Sequence, residues 1–178
     1  MPEPAPADIV RAYASAKSRA DVPAALTACH RDAVFETIPF QALARGTDEA
    51  ARHFTGFFRA FPDYHVELEY LHSADDLVVG SGIISATMRG PLAGIEPTGT
   101  SYRLPFACHW TVSGGLIIHE RFFFDFHQMC EQLGFSTDYA AAQFRIWREK
   151  AEASQGRHDG QPGVDHSTSP LVTGGIVE

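Results

Sequence analysis

Hydrophobic positions follow two different periods along this chain. Up to Pro62 most of them recur every three or four residues, which is the spacing of an amphipathic helix. Asp8, Asp21 and Thr47 stand where helix N-caps are expected, and Pro62 ends the third helix. Beyond Pro62, and once before it, hydrophobic and polar residues alternate as they do in half-buried strands. We predict helices over residues 8–19, 21–29 and 47–61, and strands over 30–38, 65–71, 75–89, 102–112 and 116–126.

The order of these elements indicates the α+β class. Helices come first and are followed by consecutive strands with short links, which favours an antiparallel sheet. Gly114 and Gly115 lie between two apolar runs and suit a tight hairpin turn. Gly80 and Gly82 allow a bulge or a bend in the longest strand. The pattern contains no βαβ crossover, no glycine-rich dinucleotide loop and no P-loop.

The chain changes character after Gly134. Residues 139–151 predict a further helix, whereas residues 154–178 are rich in Gly, Pro, Ser and His, as flexible tails are. A second interpretation also remains open, in which this tail is not flexible but packs on a partner subunit. We therefore divide the chain into a domain of residues 1–135 and a C-terminal helix and tail of residues 136–178. The predicted buried positions of the added helix are Tyr139, Ala142, Phe144, Trp147 and Ala151.

Composition narrows the classes of function. Hydrophobic residues make up 44% of the chain and charged residues 20%, as in a globular protein. The formal net charge of -8 and the lack of a basic stripe argue against nucleic-acid binding. The 3 cysteines and 9 histidines show no metal-ligand spacing, so we expect no metal. No apolar run is long enough to span a bilayer, and the first residues do not resemble a secretory signal. We therefore expect a cytoplasmic protein with no membrane partner.

Alternation gives the last predicted strand one face with most of the titratable groups and one aromatic face. The first face carries His119, Arg121, Phe123 and Asp125, and the second carries Glu120, Phe122, Phe124 and Phe126. Which of the two faces lines a pocket depends on the register of the hairpin.

Two registers remain open. A two-residue turn sets Trp110 opposite His119 and Phe106 opposite Phe123, so that the titratable face borders a mostly apolar pocket. A three-residue turn instead pairs His109 with His119. The aromatic face then forms the core, and the titratable face is exposed to solvent.

Five short segments, taken in order, resemble the SnoaL-like family of the NTF2-like superfamily. They are residues 61–67 (FPDYHVE), 75–79 (DDLVV), 94–99 (GIEPTG), 115–125 (GLIIHERFFFD) and 132–134 (QLG). The resemblance covers roughly residues 8–135. It implies a cone in which a curved antiparallel sheet wraps on about three N-terminal helices around a pocket, and it implies a homodimer.

The resemblance also implies a chemistry. Polyketide cyclases of this kind close a ring by intramolecular aldol condensation without a metal or an organic cofactor. An aspartate on the last long strand removes a proton next to a carbonyl group, and Asp125 occupies a similar position. Tyr13 stands on the first helix, where the family often has a tyrosine. His119 stands where many relatives have an acid, and the family's second catalytic histidine falls near Trp110 or His109.

From these residues we predict a site. Asp125 is the candidate base, and His119 is the candidate group that polarises the carbonyl. Arg121 is a candidate for binding an enolate or carboxylate, with pairing to Asp125 or Glu36 as its structural alternative. The remaining candidates for contact with the substrate are Tyr13, Trp110, Phe106, Phe123 and His53.

Two functions follow as hypotheses. The first is a cofactor-independent enzyme that removes a proton next to a carbonyl of a hydrophobic small molecule, leading to cyclisation, isomerisation or dehydration. The second is a non-catalytic module of the same fold that binds a small apolar ligand or another subunit, with Phe122, Phe124 and Phe126 serving association.

Overall fold

The computed structural model describes residues 4–155, which form five helices, six strands and a short 3₁₀ turn. The helices are α1 (Pro6–Ser18), α2 (Val22–Thr27), α3 (Thr47–Ala60), α4 (Phe126–Leu133) and α5 (Thr137–Gln155). The strands are β1 (Cys29–Thr37), β2 (Ala42–Arg45), β3 (His65–Ala74), β4 (Leu77–Thr87), β5 (Ser101–Ser113) and β6 (Leu116–Phe124). The 3₁₀ turn, Ile38–Phe40, joins β1 to β2.

All six strands belong to one curved sheet. Its order is β2-β1-β6-β5-β4-β3, so the β3-β4-β5-β6 meander continues onto the early β1–β2 hairpin. Every pair is antiparallel except β1–β6, which is parallel. Helix α1 packs across β3, β4 and β6, and α3 packs on β1 and β2. The α+β class is confirmed, whereas the parallel pair and the short strand β2 were not predicted.

Helix caps were predicted less accurately than the helices themselves. Asp21 caps α2 as expected, because its side chain accepts a hydrogen bond from the backbone of the first turn. Helix α1 begins earlier than predicted, because Pro6 occupies its first turn, so that Asp8 lies inside the helix. Gly46, not Thr47, is the N-cap of α3.

The bulge or bend predicted at Gly80 and Gly82 of β4 is present, and the extra residue lies in the neighbouring strand β3. The register of β3 against β4 shifts between Leu68 and Tyr70. Gly82 lies opposite this bulge, and a Cβ atom built on it would clash with the carbonyl oxygen of Glu67. A glycine at this position therefore lets the two backbones approach closely.

The hairpin between β5 and β6 follows neither predicted register throughout. Gly114 and Gly115 both have positive φ and form the two-residue turn, with Ser113 paired to Leu116. A bulge then adds one residue to β6, so that Trp110 lies opposite Glu120 instead of His119. The aromatic face of β6 consequently faces the helices, as in the second of the two alternatives.

Strand β6 ends earlier than predicted. Phe124 is its last residue, and Asp125 is the N-cap of α4, where its side chain accepts a hydrogen bond of 2.9 Å from the Gln128 backbone. Gly134 ends α4 in the left-handed conformation with φ of 85°. Helix α4 was not predicted, because its first residue was read as the end of a strand.

The predicted C-terminal helix is present as α5 and is longer than predicted. Phe144 is buried, but Tyr139 is 46% exposed, so this predicted core position is wrong. Ala140 is the fully buried residue of the first turns. The predicted tail from residue 156 onward lies outside the described residues. No described helix combines the length and apolar character needed to cross a bilayer.

Candidate active site

A cavity of about 440 Å³ lies between the sheet, α3 and α5. This volume falls within the range of about 300–1,000 Å³ that is usual for small-molecule sites. Eight phenylalanines and one tryptophan line the cavity. Arg52, Gly56 and Pro91 line it and are exposed to solvent, so the opening lies beside them. The enclosure is therefore mostly apolar and meets solvent beside these three residues.

Glu120 brings a carboxylate to the inner end of this cavity. It is 3% exposed, and no other charged residue between 4 and 155 is as deeply buried. The bulge in β6 is the cause, because it places Ile118 and His119 between the inward-facing Ile117 and Glu120. Without that extra residue, alternation from Ile117 would direct Glu120 to the outer face of the sheet.

Two donors hold the Glu120 carboxylate. The indole Nε1 of Trp110 donates a hydrogen bond of 2.9 Å to Oε2, and the ammonium Nζ of Lys17 lies 3.3 Å from Oε1. The Lys17 side chain is 12% exposed. This charge pair is thus largely removed from bulk water, and each oxygen of Glu120 has at least one protein donor.

Lys17 reaches this position from α1, one turn after Tyr13. Its Nζ lies 5.0 Å from the ring centroid of Tyr13, 4.9 Å from that of Phe54 and 5.5 Å from that of Phe122. Cation–π contacts of this kind favour the ammonium ion within an otherwise apolar wall. Both Lys17 and Glu120 line the cavity, so a ligand at its inner end meets a cation and a carboxylate side by side.

Tyr13 supports this pair from behind. Its hydroxyl oxygen lies 3.5 Å from the Lys17 Nζ. Burial raises the pKa of Tyr13 well above its ordinary value, and the charge of Glu120 raises it further. The phenol therefore stays protonated at all pH values at which the protein would act. Tyr13 is buried in the core and is not among the residues that line the cavity.

His53 and Trp147 meet near the opening. Their ring centroids are 5.1 Å apart, and both side chains line the cavity. Burial lowers the pKa of His53; the charge of Glu49 opposes this shift and that of Arg52 adds to it, so that the net change is downward. The imidazole is therefore neutral at pH 7. His53 thus lies beside the cavity, and its contact with a substrate stays a prediction.

The two predicted catalytic residues do not reach the cavity. Asp125 is exposed and caps α4, and neither Arg103 nor Arg121 pairs with it. His119 lies on the outer face of β6, where its Nε2 is 2.6 Å from Oε1 of Glu36. Both residues were predicted to face a pocket, and the structure corrects this. Strand β6 ends before Asp125, and its bulge directs His119 outward.

Arg121 and Phe123 are also on the outer face. Arg121 forms an ion pair of 2.9 Å with Glu36, the structural alternative considered for it. This guanidinium lowers the pKa of Glu36, and the hydrogen bond from His119 lowers it further. The Phe123 ring packs against His109 with centroids 5.7 Å apart. Neither residue can contact a ligand in the cavity.

Trp110 and Phe106 face the interior but stand behind the cavity wall. Trp110 holds Glu120, and the Phe106 ring stacks on Phe122 with centroids 5.1 Å apart. Phe122 and Phe124 themselves line the cavity. The predicted use of this aromatic face for association is therefore wrong, because the helices already cover it.

Sequence reasoning missed Glu120 and Lys17. One signal for Glu120 was available: it is a lone acid on a face otherwise made of phenylalanines. Lys17 follows Tyr13 by four residues, so the two share one side of the first helix. Nothing in the local pattern joins Lys17 to Glu120, because 103 residues separate them.

Comparison with known proteins identifies the family. The sequence profile of the SnoaL-like polyketide cyclase family matches residues 7–133. The chain belongs to this family. The resemblance stated from the five segments is confirmed. No curated protein sequence matches the chain.

Solved structures confirm the NTF2-like cone. An NTF2-like protein from Burkholderia thailandensis is 27% identical and has a TM-score of 0.63, with 72% of this chain and 97% of that chain covered. IdmH from Streptomyces antibioticus, a proposed polyketide cyclase, is 20% identical with a TM-score of 0.63, covering 72% and 98% of the two chains. A proposed SnoaL-like polyketide cyclase from Jannaschia sp. is 18% identical with a TM-score of 0.67, covering 72% and 90%. At these identities, the structures show a shared fold.

No group of three or more potential metal ligands (His, Cys, Asp or Glu) occurs among the described residues. The groups that the cavity offers to a ligand are therefore the Lys17–Glu120 pair at its inner end, aromatic rings along its walls, and His53 and Arg52 at its opening. This set can bind a hydrophobic molecule, hold a polar group of that molecule at the inner end and exchange a proton with it.

Proposed function

We propose that this protein is a cofactor-independent enzyme that removes a proton next to a carbonyl group of a hydrophobic small molecule. The observation that carries the proposal is the buried Glu120 carboxylate beside the Lys17 ammonium, 3.3 Å apart, at the inner end of an aromatic cavity. The proposal keeps the type of reaction expected from the sequence and assigns it to different residues.

In the proposed first step, a Glu120 oxygen accepts a proton from the carbon next to the carbonyl. The C–H electron pair moves into a C–C double bond, and the carbonyl π electrons move onto its oxygen. Lys17 stabilises the resulting enolate, because a nearby cation in a water-poor cavity interacts strongly with developing negative charge. Tyr13 and Trp110 are positioning residues that hold this pair.

The enolate has three possible outcomes. It can attack a second carbonyl of the same molecule and form a ring, it can take the proton back at another carbon, or it can expel a β-hydroxyl group as water. Membership of the SnoaL-like family supports cyclisation. All three outcomes share the first step, which is the step that the residues of the cavity support. Homodimer formation and cytoplasmic location stay predictions.

The test measures that first step directly. The purified protein is incubated in D₂O with a panel of aromatic β-keto compounds, and incorporation of deuterium is followed by mass spectrometry. We expect wild-type protein to accelerate exchange for a subset of the panel, and Glu120→Gln to slow it by about a hundredfold or more. Asp125→Asn is the matched control and should leave the rate unchanged.

Two results would contradict the proposal. Deuterium exchange at the wild-type rate in Glu120→Gln would show that Glu120 is not the base. Loss of exchange in Asp125→Asn would show that Asp125 is the base instead. A thermal melt of each variant excludes unfolding as the cause. The double variant Lys17→Met/Glu120→Gln, which leaves no unpaired buried charge, serves as a second inactive form.

A second candidate function rests on one observation. Each oxygen of Glu120 already has a donor, Trp110 or Lys17, which suits a structural ion pair in the wall of a non-catalytic binding cavity. This candidate predicts that the same compounds bind to the wild type with no accelerated exchange. Calorimetry beside the exchange assay separates the two functions.

A further inference from the structure

Helix α5 forms one wall of the cavity, yet it lies outside the part of the chain that the family shares. The family match ends at residue 133, before α5 begins at Thr137. Phe144, Trp147 and Ala151 all line the cavity. Their spacing of three and four residues places them on one side of the helix. An element added to the shared fold therefore contributes directly to the ligand site.

Phe144 and Arg148 fasten α5 to the domain. The Phe144 ring stacks on that of Phe40 with centroids 4.3 Å apart and planes 13° apart. The Arg148 guanidinium donates hydrogen bonds of 2.9 Å to the Phe40 carbonyl and 3.1 Å to the Gln41 side chain. These contacts fix the helix relative to the turn after β1, so its cavity-facing side chains are held in place.

Trp147 has a different role from these anchors. Its ring lies at the end of the cavity near the opening and contacts His53 of α3, with centroids 5.1 Å apart. Burial keeps His53 neutral, so the contact is between two uncharged flat rings. The pair bridges α5 and α3 on the side where Arg52 and Gly56 meet solvent. A ligand that extends from Lys17 and Glu120 towards that side meets the indole, because Trp147 lines the cavity there.

We propose that Trp147 is the specificity-determining residue of this site and sets an upper limit on the size of the ligand. The ligand class that fits is a flat aromatic carbonyl compound: its carbonyl lies beside Lys17 and Glu120, and its far edge packs against the indole. The inference rests on the proposed function only in taking the cavity as the substrate site. It does not depend on whether proton removal occurs there.

The test compares ligand selectivity in binding and leaves turnover aside. Dissociation constants are measured by calorimetry for 1-tetralone and for its linear three-ring and four-ring ketone homologues. We expect Trp147→Ala to raise the affinity ratio of the largest to the smallest ketone by about tenfold, the scale on which apolar pockets discriminate size. Trp147→Phe should give an intermediate ratio. Ile146→Ala is the matched control, because Ile146 precedes Trp147 and is 39% exposed.

An unchanged ratio in Trp147→Ala, or an equal change in Ile146→Ala, would overturn the inference, as would a wild type that binds none of the ketones. If Trp147→Ala melts below the assay temperature, the decision passes to Trp147→Phe, which keeps an aromatic ring in the wall. A shifted ratio without deuterium exchange would support the inference while contradicting the proposed function. The two can therefore fail separately.

Discussion

Trp110 and Glu120 are direct cross-strand partners, and the indole Nε1 of the first donates a 2.9 Å hydrogen bond to the carboxylate of the second. This relationship exists only because a bulge in β6 shifts the register by one residue after the hairpin turn. It turns an acid that would otherwise face outward into the polar end of a cavity. The bulge thus decides which residues of this chain are available for chemistry.

The first prediction concerns this hydrogen bond. Trp110→Phe removes the donor and leaves one oxygen of a buried carboxylate without its protein partner. Since hydrogen bonds to charged groups contribute about 1.5–3 kcal/mol, we expect a loss of about 2 kcal/mol in the free energy of unfolding, measured by urea denaturation. The control is the Glu120→Gln background, in which the same substitution should cost clearly less. Equal losses in both backgrounds would show that the effect comes from lost packing.

The second prediction concerns the cation. Lys17→Met leaves Glu120 as a buried charge without its counter-ion, a change that typically costs about 3–5 kcal/mol. We expect a loss at the lower end of that range, because the cavity gives the site some access to water. Arg11→Met on the same helix is the control: Arg11 is largely exposed, and its pair with Asp8 should contribute less than about 1 kcal/mol. Similar unfolding free energies for both variants would refute a buried, interacting pair.

The third prediction contrasts two glycines. Gly82→Ala forces a methyl group against the Glu67 carbonyl, so we expect a loss of about 2 kcal/mol or more in the free energy of unfolding. Gly56→Ala places the same group on α3 with nothing within 4 Å apart from its chain neighbours and the backbone of the helix itself. Alanine is a better helix former than glycine, so this variant should gain about 0.5–1 kcal/mol. Chemical denaturation of both variants tests the prediction, which requires that the changes in the free energy of unfolding have opposite signs.

The fourth prediction is a pH dependence that arises from His53. Burial lowers the pKa of His53 in the folded protein below its ordinary value of 6.5. The unfolded chain therefore binds a proton at His53 more readily than the folded protein does. The contribution of His53 to the free energy of unfolding is complete above about pH 7 and is lost as the pH falls through about 6.5. We expect His53→Gln to reduce the slope of unfolding free energy against pH between about 7.5 and 5.5. An unaltered slope would show that His53 titrates normally.

Glu36 provides an internal comparison for that measurement. Arg121 and His119 lower the pKa of Glu36 below its ordinary value of 4.5, so its contribution to stability is lost only at more acidic pH. In a His119→Gln background, which removes the histidine paired with Glu36, Glu36→Gln should therefore leave the slope between about pH 7.5 and 6.5 nearly unchanged. Its effect should instead appear below about pH 5. If His53→Gln and Glu36→Gln changed the pH dependence of stability over the same pH range, the assignment of the two effects to separate groups would be contradicted.

Local sequence patterns were sufficient to predict those elements whose conformation depends on interactions between residues close together in the sequence. The phenylalanine spacing of α3 predicted its buried side, and Phe54, Phe57 and Phe58 do line the cavity or the core around it. The paired glycines predicted the tight turn between β5 and β6, because only two φ-positive residues are needed to form it. The five family segments likewise predicted the cone that the solved structures share.

The candidate site was predicted poorly for a physical reason. Strand alternation assigns faces only as long as the register is continuous, and a single inserted residue reverses every assignment beyond it. The bulge in β6 did this for His119 and Glu120, and the early end of the strand made Asp125 a helix cap. Glu120 differs from Asp125 in sharing its face of the strand with phenylalanines, but that pattern does not show which face is buried until the register is known.

The amino-acid sequence by itself therefore determined the fold class, helices α1, α2, α3 and α5, the hairpin between β5 and β6, and the family, since each depends on hydrophobic period, turn residues or ordered local motifs. Only the tertiary structure decided that Glu120 is the inner acid, that Lys17 lies beside it and that Trp147 stands near the opening. Those three positions depend on contacts between α1, α3, α5 and β6, which are distant in sequence. Their geometry is set by sheet register and helix packing, and neither is encoded in any single segment.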